Sequence, residues 1–120
     1  RQRSSVLKQA VTLALKSKDH SQAEELTARI PIEAERKIAV MLGLLAQRKA
    51  AQVIEQFGGE DLARWPFWAA GEGRFARGRA FAAVGQKAKA AADFKAALAR
   101  TSDKQLRRTI TKSLGAISDR

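Results

Sequence analysis

The chain has 120 residues, a length that suits a single domain and permits a sizeable buried core. It contains no cysteine, which excludes a disulfide framework and a thiolate metal site, and no apolar run reaches the ~20 residues of a membrane span. Lysine and arginine number 23 against 12 aspartates and glutamates, so the formal net charge at pH 7 is +11. The sequence starts at Arg1 without a signal-peptide pattern, and we expect it to be an excised part of a longer protein.

The first half of the chain shows the helical period of apolar residues. Residues 3–17 predict a first helix, and its apolar stripe comprises Val6, Ala10, Leu13 and Ala14. A second helix follows, with Asp19 or Ser21 as its N-cap. Its apolar line comprises Ala23, Leu26 and Ile30.

Proline and glycine mark the limits of the next two predicted helices. Pro31 suits the first turn of a third helix over residues 32–48, because its missing N–H has no partner there in any case. The acidic Glu33 and Glu35 lie near the positive end of that helix. A short fourth helix then ends at residues 58–59, two glycines that favour a left-handed stop.

The second half of the chain is also helical in its periodicity. A helical turn at residues 60–65 precedes Pro66, which opens a long helix that ends at Gly85. A further helix covers residues 87–100, and Ser102 with Gln105 has the spacing of a capping box that starts the last helix. The buried stripe predicted for the last helix comprises Leu106, Ile110, Leu114 and Ile117. No stretch alternates with period two, so the sequence predicts an all-α fold.

Small and aromatic residues recur at fixed spacings between about Gly71 and Lys104. The residues concerned are Gly78, Phe81, Val84, Gly85, Ala90, Phe94, Ala97 and Leu98. The segment resembles a tetratricopeptide repeat (TPR), a helix–turn–helix unit of about 34 residues in which small residues mark the close approach of two helices. It departs from that pattern at Arg74, where the family has tryptophan, and at residues 101–103, where the family has proline.

Two earlier hairpins match the repeat more loosely. Ala23, Val53 and Ala90 occupy equivalent positions, 30 and 37 residues apart. The resemblance implies an all-α, right-handed superhelical stack of about three antiparallel helical hairpins with a final capping helix. It also implies one TPR-like domain over residues 1–120. An alanine-rich antiparallel helical bundle is the alternative, since close helix crossings there also select small residues.

In the family it resembles, the first helix of each hairpin lines a concave groove that binds peptides. The resemblance places five residues of the long helix in that groove: Glu72, Phe75, Arg79, Ala82 and Ala83. We predict Phe75 and Arg79 as residues of the groove floor. The densest aromatic patch is "RWPFWAA", residues 64–70, and we predict its Trp65 and Trp68 as rim anchors. A wedge between packed helices is the alternative role for these tryptophans.

The positive charge is concentrated towards one end of the chain. Residues 74–112 hold 11 Lys and Arg against 2 Asp and Glu, a net charge of +9. We define the basic patch as Lys104, Arg107, Arg108 and Lys112, on the polar face of the last helix. It is a solvated face, or it attracts an acidic partner or a polyanion such as nucleic acid, whose binding would depend on salt.

Two features of the sequence bear on possible chemistry. "GEGRFA", residues 71–76, fits a dinucleotide fingerprint, but that motif needs a preceding strand and this one lies inside a predicted helix, where it indicates close packing. His20 has no cysteine to join it, which favours a capping or turn role over metal binding. We find no pairing of a nucleophile with a base and no phosphate loop. We therefore predict no catalytic site, no metal and no cofactor.

These observations favour a non-catalytic protein- or peptide-binding scaffold module of a larger protein. The predicted partner is a protein or peptide segment with acidic character, and no membrane contact is expected. One alternative is a basic helical domain that binds a polyanion. Another is a structural spacer or self-association module.

Overall fold

The computed structural model of the chain describes residues 4–118. Within that range seven α-helices and one 3-10 turn form the regular structure, and no strand occurs, which confirms the all-α prediction. The helices are α1 (Ser4–Lys16), α2 (His20–Ala28), α3 (Glu33–Ala46), α4 (Ala50–Phe57), α5 (Phe67–Ala83), α6 (Lys87–Leu98) and α7 (Lys104–Ser118). The 3-10 turn spans Leu62–Arg64. None of the helices within residues 4–118 combines the length and the apolar character that a bilayer crossing needs.

Internal contacts divide the chain into two compact units, which meet in sequence between Lys49 and Ala50. In the first unit α1 packs against α2 and α3, and α2 packs against α3. The core of the unit comprises Leu7, Val11, Ala14, Ala23, Ile30 and Ala39. This core confirms two positions of the predicted apolar line of α2, Ala23 and Ile30, with Leu26 packed at its margin.

The predicted apolar stripe of α1 was wrong for two of its four members, since Ala14 is buried and Ala10 half-buried. Val6 and Leu13 are 50% and 67% exposed, whereas Leu7 and Val11 are buried with Ala14. Both sets of residues have helical spacing, so α1 carries two apolar stripes and either satisfies the periodicity. Packing against α2 and α3 selects the stripe that contains Leu7 and Val11.

The connections after α1, α3 and α5 share one backbone geometry. Each has a residue in the left-handed region, namely Lys18 (φ 61°), Arg48 (φ 60°) and Gly85 (φ 85°). The amide after each of them donates to the carbonyl five residues earlier: Asp19 to Ala14 (2.8 Å), Lys49 to Leu44 (2.8 Å) and Gln86 to Phe81 (2.9 Å). The amide of each left-handed residue also donates to the carbonyl three residues earlier. Together the two hydrogen bonds define a Schellman motif.

The three turns have the same register relative to the buried residues that follow them. The small or apolar residue five positions after the left-handed residue is Ala23, Val53 or Ala90, and each is at most 3% exposed. Four positions further on, Thr27, Phe57 and Phe94 are also buried. The predicted equivalence of Ala23, Val53 and Ala90 therefore extends to the turns that precede them.

In the second unit α5 packs closely against α6. A Cβ on Gly78 would lie 2.7 Å from the ring of Phe94, and Ala90 is completely buried, so two backbones approach here as the sequence predicts. The other two glycines of α5 also mark close contacts. A Cβ on Gly71 would lie 3.1 Å from the Arg100 carbonyl oxygen, which supports the packing interpretation of "GEGRFA".

Helix α7 packs against α6 through its predicted stripe. Ile110 is fully buried, and Leu106, Leu114 and Ile117 pack around it against the cluster of Phe81 and Phe94. Two predicted helix starts were wrong. The N-terminus of α7 is capped by Asp103 rather than Ser102, because the Asp103 carboxylate accepts from the amides of Gln105 (2.9 Å) and Leu106 (3.2 Å). Pro31 lies before α3, which begins at Glu33.

Candidate functional site

The structure brings the two predicted floor residues of α5 together. Phe75 and Arg79 are one helical turn apart, and the Arg79 guanidinium carbon lies 5.9 Å from the centroid of the Phe75 ring. Phe75 is half-buried because its other side packs against Phe94, with ring centroids 5.6 Å apart. Arg79 is exposed. The pair therefore presents one anchored aromatic ring with a cation beside it.

The remaining predicted groove residues lie along the same side of α5. Glu72 and Ala83 are exposed, and Ala82 is half-buried against the core of the second unit. A line from Glu72 to Ala83 spans three helical turns, with the Phe75–Arg79 pair in its middle. Small residues beyond Arg79 leave the guanidinium uncovered on that side.

The predicted rim anchors are placed differently. The Trp65 ring lies against Gly73, where an added Cβ would be 2.6 Å from it, and its Nε1 donates to Glu60 (3.3 Å). Residues two positions apart on a helix do not face the same way, so the structure does not bring Trp65 to Phe75. The Trp68 side chain lies outside the described part of the structure. The rim assignment of both tryptophans stays a prediction.

Phe67 is an exposed aromatic residue of this segment, and it is not among the predicted site residues. It is 61% exposed, and the Arg100 guanidinium carbon lies 6.0 Å from its ring centroid. Phe67 follows Pro66 as the first residue of α5. Ala69 and Ala70 of the same helical turn are buried, so a position in the first turn did not by itself indicate the exposure of Phe67.

A buried ion pair in the second unit was also missed. Asp93 is 3% exposed and its two carboxylate oxygens accept from Nε and Nη2 of Arg77, both at 2.7 Å. Nη1 of Arg77 donates to the carbonyls of Phe57 (3.2 Å) and Glu60 (2.8 Å). Arg74 adds a longer contact to Asp93, at 3.6 Å. These four bonds join the segment at and after the end of α4 to α5 and α6, and they use four of the five N–H donors of the buried Arg77.

All four residues of the basic patch are exposed, and one of them, Arg107, also bonds to backbone carbonyls. Arg107 donates through Nη1 to the carbonyls of Leu98 and Thr101, which lie at and just after the end of α6. Lys104, Arg108 and Lys112 are exposed and follow each other at intervals of one turn. Among residues 4–118 none of these three makes an ion pair, so they form a line of available positive charge on α7.

Among the described residues no three His, Asp or Glu side chains gather as a metal site would require. His20 is the first residue of α2, directly after Asp19, whose carboxylate accepts from the Gln22 amide at 3.1 Å. Asp19 is thus the N-cap of α2, one of the two predicted candidates.

A comparison with known proteins finds no matching family model, no similar curated protein and no similar solved structure. The resemblance to the TPR family is therefore carried by the residues and turns of this chain alone. The described residues define an all-helical protein.

Proposed function

We propose that this chain is a non-catalytic helical-repeat scaffold that docks an acidic peptide or protein segment on the exposed side of α5. The proposal has two parts, a repeat architecture and a docking surface. Each part is supported by a separate observation.

The repeat architecture is supported by the three Schellman turns. Lys18, Arg48 and Gly85 are separated by 30 and 37 residues, the spacing that also separates Ala23, Val53 and Ala90. Two of the three left-handed residues are not glycine, so local sequence preference does not produce this geometry at each site. A repeated unit that requires the same chain reversal explains why it recurs. The arrangement that we propose is a right-handed stack of these helical hairpins.

The docking surface is supported by a difference among the three arginines of α5 in whether each contacts a carboxylate. Arg74 and Arg77 are committed to Asp93 in the interior. Arg79 is exposed, lies over the Phe75 ring and has no carboxylate partner among residues 4–118. A guanidinium binds a carboxylate through two parallel hydrogen bonds, and the adjoining ring offers apolar area for the neighbouring residue of a peptide. This unpaired arginine beside an anchored ring is the observation that carries the proposal.

The recognition mechanism follows from these contacts. An aspartate or glutamate side chain, or a C-terminal carboxylate, binds Arg79, and an adjacent apolar side chain packs on Phe75. The positive charge of the second unit raises the rate of encounter with an acidic segment and makes that rate fall with salt. Because Phe75 is fixed by Phe94, the aromatic part of the surface is formed before the peptide arrives.

Selection from a random peptide library displayed on phage, with the whole chain immobilised, tests the proposal. We expect enriched peptides to combine an acidic with an apolar residue. Their affinities, measured by fluorescence anisotropy, should fall roughly tenfold or more for Arg79→Gln. The matched variant Arg108→Gln removes an exposed arginine from α7 and should leave the affinity within about twofold. Equal losses for the two variants, or no enriched peptide, would refute the docking surface.

The line of Lys104, Arg108 and Lys112 favours a polyanion as a second candidate partner. Exposed cations at one-turn intervals match a run of phosphates or sulfates without sequence preference. Heparin chromatography checks this with the triple variant Lys104→Gln, Arg108→Gln, Lys112→Gln. Arg107 stays unchanged because it holds the end of α6. The polyanion candidate predicts elution of the triple variant at much lower salt, whereas Arg79→Gln would elute almost as the natural protein does.

A further inference from the structure

The first unit contains a cavity of about 360 Å³. Its walls come from the end of α1, from α2 and from α3, and they are mostly apolar or small, with Ala23, Ala39 and Leu44 among them. The volume lies in the lower part of the range for small-molecule sites. All lining residues belong to the first unit, whereas α5 belongs to the second.

Gly43 contributes to the size of this cavity. It lies in the interior of α3 and lines the cavity, and a Cβ added to it would meet no atom within 4 Å. Neither a turn nor a close helix contact requires glycine here, and glycine is less favourable than alanine in a helix interior. The chain therefore keeps an open space beside α3 at a cost in helix stability.

Arg36 lines the cavity and has N–H donors that make no hydrogen bond within the described residues. Nη1 of Arg36 donates to the carbonyl of Ile30 at 2.9 Å, which leaves its other N–H groups for a further acceptor. Arg36 makes no ion pair within the described residues, whereas the neighbouring Lys37 is paired with Glu33 at 3.3 Å. Glu24 is the acid among the lining residues that the structure describes, so the charge around the cavity is positive on balance.

We propose that this cavity binds a small amphiphile with an apolar chain and a single carboxylate group, such as a free medium-chain fatty acid. The chain lies against Ala23, Ala39 and Leu44, and the carboxylate accepts hydrogen bonds from the Arg36 guanidinium. Apolar walls of this size exclude a highly charged ligand, and one unpaired guanidinium matches one carboxylate. This inference is independent of peptide docking on α5.

Isothermal titration calorimetry with decanoate, kept below its micelle-forming concentration, tests the proposal on the whole chain. We expect one decanoate per chain, and decanol, which has the same chain without the charge, should bind roughly tenfold or more weakly. Gly43→Leu should abolish binding because its side chain occupies the cavity. Gly115→Leu is the matched control, since Gly115 is also helical with no atom near its added Cβ but lies in α7.

The charge is tested separately with two arginine variants. Arg36→Gln should weaken decanoate roughly tenfold or more, whereas Arg29→Gln, which removes an exposed arginine that does not line the cavity, should have little effect. Circular dichroism checks that each variant is folded. If Arg36→Gln does not fold, the result for Gly43→Leu still decides whether the cavity binds decanoate. Undiminished binding to Gly43→Leu, equal binding of decanol, or binding only where decanoate forms micelles would overturn the proposal.

Discussion

The hairpins α1–α2 and α5–α6 reverse the chain with the same turn but fill the space behind it differently. Gly78 stands seven residues before Gly85, and Val11 stands seven residues before Lys18. In α5–α6 the glycine lets Phe94 pack directly on the backbone. In α1–α2 the corresponding contacts are made by aliphatic residues. The comparison teaches that a repeated turn fixes the chain path, while residue size decides how closely the helices approach.

The two units also differ in how they treat their interiors. The interior of the second unit holds the Arg77–Asp93 ion pair, whose arginine also donates to the carbonyls of Phe57, the last residue of α4, and of Glu60. The first unit instead leaves a cavity beside α3, where Gly43 has room for a side chain. Similar helices therefore form one unit with a buried ion pair in its interior, the second, and one with a mostly apolar cavity, the first.

The largest expected effect comes from breaking the ion pair of the second unit. Asp93→Ala leaves the Arg77 guanidinium buried without its carboxylate, and we expect a loss of about 3–5 kcal/mol in the free energy of unfolding. Urea denaturation measures this change. The double variant Arg77→Met, Asp93→Leu should lose less than the sum of the two single changes, because the pair is coupled. A loss below about 1 kcal/mol for Asp93→Ala would contradict the role of the pair.

The next largest effect tests the close approach in α5–α6. Gly78→Ala places a methyl group 2.7 Å from the Phe94 ring, so we expect destabilisation of about 1–3 kcal/mol despite the better helix propensity of alanine. Gly43→Ala, at an open helical position, should instead stabilise the protein by about 1 kcal/mol. Thermal unfolding followed by circular dichroism compares the two. Stabilisation by both substitutions would mean that α5 and α6 are further apart than described.

The basic patch offers an intermediate effect. Arg107→Gln removes the donors to the Leu98 and Thr101 carbonyls, and we expect a loss of about 1 kcal/mol in the free energy of unfolding. Arg108→Gln should change stability by less than about 0.5 kcal/mol, because Arg108 is exposed and unpaired in the described structure. Urea denaturation of both variants compares their free energies of unfolding and so shows which arginine stabilises the fold. Equal effects would show that Arg107 is not a cap.

The smallest effects test the shared turn. Gly85→Ala forces a Cβ into the left-handed region and should destabilise the protein by about 1 kcal/mol. Lys18→Gly and Arg48→Gly relieve the same strain and should each stabilise it by about 0.5 kcal/mol, after the entropy that glycine adds to the unfolded chain. Differential scanning calorimetry resolves these shifts. Opposite signs at Lys18 and Arg48 would indicate that the two turns are not equivalent.

Much of the helical framework could be predicted from the sequence. The period of apolar residues gave the helices, and the small residues Gly78 and Ala90 gave the close contact of α5 with α6. These features are local, or they join neighbouring helices through a short turn. The stripe of α7 around Ile110 was predictable for the same reason.

Other features depend on information that a linear pattern does not hold. To predict the Arg77–Asp93 pair one must know the register between α5 and α6, because each residue alone is typical of an exposed helix surface. The buried face of α1 needed a partner helix to choose between two apolar stripes. The left-handed turns at Lys18 and Arg48 have no glycine to signal them. Phe75 and Arg79 are in contact, as their one-turn spacing allows, but their role as a groove floor stays a prediction, and the exposure of Phe67 was missed.

The most direct test of the docking proposal is to map where an acidic peptide binds. Amide chemical shifts of the isotope-labelled chain are measured by NMR while a peptide selected on the natural protein is added. The account predicts that the largest shifts fall on residues 72–83 of α5 and disappear in Arg79→Gln. Shifts confined to residues 104–112 of α7, unchanged in Arg79→Gln, would contradict it.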